Sequence, residues 1–121
     1  MADELTERII GAAIEVHKEL GPGLLESIYE EALCHEFGLQ GIKYQRQVPA
    51  DIVYKGLEIK GFKLDLLVEK QVVVELKAVQ MPPRVALSQT ISYLKATKLK
   101  RGLIINFGQQ RLVDGITRVS V

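Results

Sequence analysis

Two apolar runs, Phe62 to Val68 and Val72 to Val79, flank three polar residues, Glu69, Lys70 and Gln71. Leucine-rich or β-branched runs around a short polar turn predict two adjacent antiparallel strands. Asp65, Glu75 and Lys77 interrupt those runs. Positions two apart on a strand share a face, so Glu75 and Lys77 project together. Where Asp65 points depends on the turn. A three-residue loop makes Val68 face Val72, and the same register sets Asp65 opposite Glu75, with Cβ atoms roughly 5 Å apart. A two-residue loop would shift the register by one and destroy that alignment. The alternate positions Leu64, Leu66, Val68, Val72, Val74 and Leu76 are wholly apolar. They are expected to form the main core, with the charges on the less buried face.

Two carboxylates at that spacing repel unless a proton or a cation lies between them. Hard oxygen ligands on neighbouring strands suit Mg²⁺ or Mn²⁺, ions that keep several waters for a phosphate. A lysine beside such an ion can orient an attacking water or offset charge developing on the phosphate. The same three residues also read as a cross-strand salt bridge, which contributes little where it is exposed. Spacing alone leaves both readings open.

The rest of the chain predicts what surrounds these strands. Leu5, Ile9, Ala12, Val16 and Leu20 recur at helical spacing, and Gly21, Pro22 and Gly23 break that helix. A second helix is expected from Leu24 to Phe37, with Gly38 as its C-cap. Extended structure follows: a strand from Ile42 to Val48, then a hairpin over Ile52 to Ile59 turning at Lys55-Gly56. Pro82 and Pro83 suit the first turn of a helix running to about Thr97. Gly102 to Phe107 is a short apolar strand, and Arg111 to Val121 can add an edge strand. Helices, strands, helix, strands in that order describe an α/β domain with a mixed sheet covered by helices.

A chain of 121 residues fits one domain, 1–121, and 47% hydrophobic residues suffice for a core. The net charge of +1 points to no polyanion partner, so basic surface must come from local clusters such as Lys95, Lys98, Lys100 and Arg101. That cluster also suits a solvated helix end. A single cysteine, Cys34, excludes an internal disulfide and a cysteine-rich zinc site, and its apolar neighbours make it a packing thiol. His17 reads as a packing or capping group, and His35 has no partner at metal-ligand spacing. No run reaches membrane-spanning length and the N-terminus lacks a signal-peptide pattern, so a soluble, cytoplasmic chain is expected.

Gly23-Leu-Leu-Glu26-Ser-Ile-Tyr29 matches a G-x-x-E-x-x-Y signature. Together with His17 to Tyr29, Asp65-Leu-Leu-Val, Val74-Glu-Leu-Lys-Ala78, Gln89 to Lys95 and Gly102 to Phe107, it resembles the GxxExxY proteins, a small branch of the PD-(D/E)XK nuclease superfamily. The resemblance runs from about Ile9 to Phe107. It implies a restriction-endonuclease-like core, Asp65 as the superfamily's motif aspartate, and Glu75 with Lys77 as its E-x-K. Glu26 corresponds to the helical glutamate that often completes the metal site; read alone, it is a solvated carboxylate beside Glu30 and Glu31. Gln89-Thr-Ile-Ser-Tyr93 resembles the Q-x-x-x-Y element of RecB-like nucleases, and that spacing puts both side chains on one helix face.

Two departures stand out. Leu64 occupies the position where proline often precedes the motif aspartate, and Ala86 the position where the family pattern has a histidine three residues before the glutamine. They put a turn and a helper contact in doubt, not the metal-binding residues. The resemblance therefore implies a Mg²⁺- or Mn²⁺-dependent nuclease acting on nucleic acid, with DNA as the expected substrate. Glu26, Asp65 and Glu75 would bind the metal, Lys77 would assist the water, and Gln89 and Tyr93 would hold the substrate. The other reading is a non-catalytic nucleic-acid- or protein-binding module that keeps the fold. A two-fold homodimer would let so small a domain address two strands.

Overall fold

A computed structural model describes residues 3–80 and 84–121. Helix α1 (Glu4–Leu20) begins on Asp3, whose side chain accepts the Thr6 N–H at 2.8 Å, and ends on Gly21 at φ +68°. Helix α2 (Glu26–Gln40) runs three residues beyond the expected end. Gly38 lies inside it and Gly41 is the C-cap, because the left-handed residue that closes the helix is Gly41, at φ +72°. Its start is also later than expected, since Leu25 is the N-cap.

Strands β1 (Tyr44–Pro49), β2 (Ile52–Tyr54), β3 (Leu57–Ile59), β4 (Lys63–Val68) and β5 (Val72–Lys77) follow. Strand β1 starts two residues late because the Ile42 N–H is still bonded to Phe37 O behind the helix. Then come α3 (Val85–Thr97), β6 (Arg101–Asn106), a 3-10 turn (Leu112–Gly115) and β7 (Ile116–Ser120). The expected Pro82-Pro83 helix start lies outside the described residues.

Five strands form one mixed sheet in the order β1-β4-β5-β6-β7, parallel only between β5 and β6. Strands β2 and β3 form a separate two-stranded hairpin. Its turn residues, Lys55 and Gly56, both have positive φ, as a tight two-residue hairpin turn requires. This is the mixed-sheet α/β architecture of a restriction-endonuclease-like core.

Both faces of the sheet are covered. On one, Leu66, Val68, Val72, Val74, Leu76, Leu103, Ile105 and Phe107 pack with α1 and α2 through Ile9, Val16, Tyr29, Leu33 and Phe37. On the other, Val73, Ile104 and Val119 pack with Ala86, Tyr93 and Leu94 of α3. Gly102 lets α3 approach closely, since a Cβ there would meet Thr90 Cγ2 at 3.0 Å. Two expectations fail. Glu75 lies on a covered face and is only 7% exposed, and Leu64 packs on the α3 side instead of with Leu66. Side-chain alternation along β4 is therefore broken at Asp65.

Candidate active site

The expected turn forms. Val68 faces Val72, and the register continues through Leu67–Val73 to Leu66–Val74. Glu69 and Lys70, at φ +52° and +56°, carry the three-residue loop through the left-handed region. Asp65 and Glu75 are next in register, but backbone pairing stops before them. The strands part there, and side chains take over. Asp65 N–H donates to Glu75 Oε1 at 3.3 Å, and Leu76 N–H donates to Asp65 Oδ2 at 2.8 Å. On its other side Asp65 lacks a rung too: β1 pairs with β4 on both sides of Gln47 but not at Gln47 itself. The parted strands explain why Leu64 turns to the opposite face.

Burial and mutual repulsion set the chemistry of this pair. Glu75 is pushed up to about 8, first by desolvation and then by the charge of Asp65. Asp65 is also raised, chiefly by desolvation, against the Leu76 N–H that favours its ionised form. Both carboxyls thus keep a proton to higher pH than an ordinary acid does. A hard divalent cation can take the proton's place, with remaining positions left to water or substrate oxygens. The two carboxylates are the type of oxygen ligand that such an ion takes.

Glu26 opens α2, and its carboxyl is raised by desolvation and by the nearby Asp65 charge. It is close to the pair without joining it. Among the described residues no three His, Cys, Asp or Glu side chains form a group that could hold a metal ion. Lys77 shares the Glu75 face of β5, and its charge favours the ionised forms of Asp65, Glu75 and Glu26. None of the described ion pairs involves Lys77. The salt-bridge reading of these three residues thus loses its bond.

Helix α3 brings Tyr93 to the site and leaves Gln89 outside. Tyr93 is buried edge-on against Phe62 at 5.3 Å, and desolvation and the charges of Glu75 and Asp65 raise its hydroxyl pKa. Gln89, one turn earlier, is exposed. Ala86 and Leu64, the two departures from the family pattern, both pack in the α3-side core.

Three supporting residues were not assigned these roles from sequence. Tyr29 stacks on Phe107 at 4.5 Å, while its hydroxyl donates to Gly21 O at 2.5 Å and accepts from Leu24 N–H at 3.1 Å. It thereby closes the loop that delivers Glu26, a loop in which Gly23 has φ +103°. Asn106, fully buried beside Lys77, accepts from the Val79 and Gly108 N–H groups and donates to Val79 O. It fixes the chain leaving β5. Glu30 takes Arg46 and Gln47 from β1. The spacing G-x-x-E-x-x-Y was visible in the sequence, but only the fold shows what the tyrosine hydroxyl holds.

His17 is buried, with Nε2 2.9 Å from Gln109 O and its ring 6.3 Å from Phe107, a packing role as expected. Cys34 is buried too, and desolvation raises its thiol to about 11. In the basic cluster, Arg101 pairs with Asp3 at 2.5 Å, while Lys98 is the C-cap of α3. No described helix is long and apolar enough to cross a membrane.

A family model described as the PD-(D/E)XK nuclease superfamily matches residues 3–119. No curated protein and no solved structure matches the chain.

Proposed function

The chain belongs to the PD-(D/E)XK nuclease superfamily, and from that membership and its paired carboxyl groups we propose that it is a metal-dependent nuclease hydrolysing DNA phosphodiester bonds. Members of this superfamily generally use divalent metal ions. The observation that carries the reading is the Asp65–Glu75 pair at the parting of β4 and β5, Glu75 buried and Asp65 half-buried, with Lys77 on the Glu75 face. We read residues 1–121 as one such domain and place it in the GxxExxY branch, on the motif from Gly23 to Tyr29.

Asp65 and Glu75 would hold Mg²⁺ or Mn²⁺, and Glu26 would swing in from the first turn of α2 to complete the ligand set. The ion supplies charge stabilisation at the phosphate and an acidified water. Lys77 orients that water or balances the developing negative charge. Tyr93, and Gln89 one turn away, contact the nucleic acid. The raised carboxyl pair suits this role, because a cation held there would compete with the protons that these carboxyls retain. The decisive experiment is plasmid or oligonucleotide cleavage with Mg²⁺ or Mn²⁺, comparing wild type with Asp65→Ala and Lys77→Ala. Cleavage by wild type alone supports the assignment; equal cleavage by all three proteins identifies a contaminant and sinks it.

One observation favours a second reading, a non-catalytic module on the same fold: the three acids do not form a ready-made cluster. Calorimetric titration with Mn²⁺ separates the two. Binding that Asp65→Ala abolishes supports the nuclease, and no binding by the intact protein supports the module. Sedimentation at several concentrations would test a two-fold dimer that addresses both strands of a duplex.

A further inference from the structure

Strand β1 contains a residue that regular antiparallel pairing does not accommodate. Gln47 has φ +50°, a left-handed conformation that is sterically costly for a residue with a Cβ. No residue is inserted. Arg46 faces Leu66 and Val48 faces Leu64, so the register is the same on both sides, and only the rung between Gln47 and Asp65 is missing. The distortion therefore falls opposite the aspartate of the candidate site.

The Gln47 side chain reaches α2, where Nε2 donates to Glu30 Oε1 at 3.0 Å. Arg46 holds the other oxygen, donating to Glu30 Oε2 through Nε at 3.1 Å and NH2 at 2.8 Å. Both Glu30 oxygens are thus held from β1, and the Glu30 side chain is only 12% exposed. Glu30 lies one turn after Glu26 on the same face of α2. Arg46 alone would tie β1 to α2 without a backbone cost. A second tie made through a strained residue, at the position facing Asp65, calls for a reason at the site.

The geometry points to Gln47 as a positioning residue: its left-handed backbone brings the amide onto Glu30, which tethers the first turns of α2 and so sets Glu26 over Asp65. This inference rests on the metal-dependent reading above. The test is calorimetric titration of the full-length, metal-free protein with Mn²⁺, for wild type, Gln47→Asn and Gln47→Gly, with thermal midpoints measured in chelator. Asparagine tolerates the left-handed region but is one methylene short of Glu30. Glycine relieves the strain and removes the amide.

Both variants are expected to stay folded, with the Gln47→Gly midpoint at or above wild type. Mn²⁺ affinity should fall by about tenfold, as for other residues that orient metal ligands from behind. A merely structural tether would lower the midpoint and leave affinity alone. Unchanged affinity in folded Gln47→Asn overturns the positioning role, and that variant decides the matter if Gln47→Gly does not fold. A wild-type protein that binds no Mn²⁺ overturns the metal-dependent reading and this inference with it, so the wild-type titration separates the two failures.

Discussion

Asp65 and Glu75 stand where the next rung of the β4–β5 ladder belongs, and their carboxyls accept a backbone N–H from the opposing strand at 2.8 and 3.3 Å respectively. The substitution of side-chain bonds for backbone bonds spreads the strands while keeping them joined. It also forces two acids together in a place where Glu75 is 7% exposed.

That compression makes metal-free stability depend on pH. Glu75 is raised from an ordinary 4.5 to about 8, chiefly by burial. A raised acid binds its proton more tightly in the folded protein than in the unfolded one. Its contribution is thus fully present below pH 4.5 and is lost as pH rises through about 8. Thermal midpoints in chelator should fall across that window. Glu75→Gln, which needs no proton, should flatten the fall. A wild-type midpoint that stays level from pH 5 to 9 would show that the pair is not compressed. Mn²⁺ competes with the proton, so Mn²⁺ affinity should rise over the same range.

Tyr29 offers a separable test of how Glu26 is held. Tyr29→Phe keeps the stack on Phe107 and removes only the hydroxyl, leaving Gly21 O and Leu24 N–H without that partner. A loss of about 1–3 kcal/mol is expected from urea unfolding. In the folded variant the loop from Gly21 to Leu24 should also exchange its amide hydrogens faster. Unaltered exchange in that loop would mean the hydroxyl is not its clamp.

What sequence could and could not reveal follows from which interactions are local. The three-residue turn at Glu69, Lys70 and Gln71 is a local matter, and with it came the Asp65–Glu75 register. Helix α1 was equally plain, because its apolar stripe and its Gly21 stop lie within one segment. Gly38 misled because two glycines lie near the end of α2 and only three-dimensional geometry shows that Gly41 has the positive φ. Leu64 misled because strict alternation assumes an unbroken ladder, and the ladder breaks at Asp65. The burial of Glu75 was hidden for a related reason: α3, distant in sequence, covers that face. Gln47 and Glu30 carry no local signal, since they meet across 17 residues, and nothing near Asn106 in sequence announces its bonds to Val79, 27 residues away.

The first turn of α1 gives a prediction on the acid side. Asp3 is depressed to about 2, first by the Thr6 backbone N–H and then by Arg101. A depressed acid stabilises above its unfolded value, here 3.8, and that contribution is lost as pH falls through about 2. Asp3→Ala should cost about 1 kcal/mol at neutral pH, the usual worth of an N-cap. The difference between the two proteins should shrink below pH 4 and close near pH 2. A difference that persists unchanged at pH 2 would rule out the carboxylate as its source.

Two glycine-to-alanine changes should move stability in opposite directions. Gly11 lies on the exposed side of α1, where a Cβ would meet nothing within 4 Å. Gly11→Ala should therefore stabilise by about 1 kcal/mol through helix propensity alone. At Gly102 a Cβ would come 3.0 Å from Thr90 Cγ2 and 3.3 Å from the Val73 carbonyl oxygen. Thr90 is fully buried, and its hydroxyl is tied to Ala86 O at 2.9 Å, so it has little room to yield. Gly102→Ala should destabilise by about 1–3 kcal/mol, the range for overpacking a filled core. Because α3 also carries Tyr93, the displaced helix should weaken the Tyr93–Phe62 contact, read as a change in tyrosine fluorescence in the folded variant. Stabilisation by both substitutions would mean that α3 does not sit against β6 as closely as the 3.0 Å contact requires.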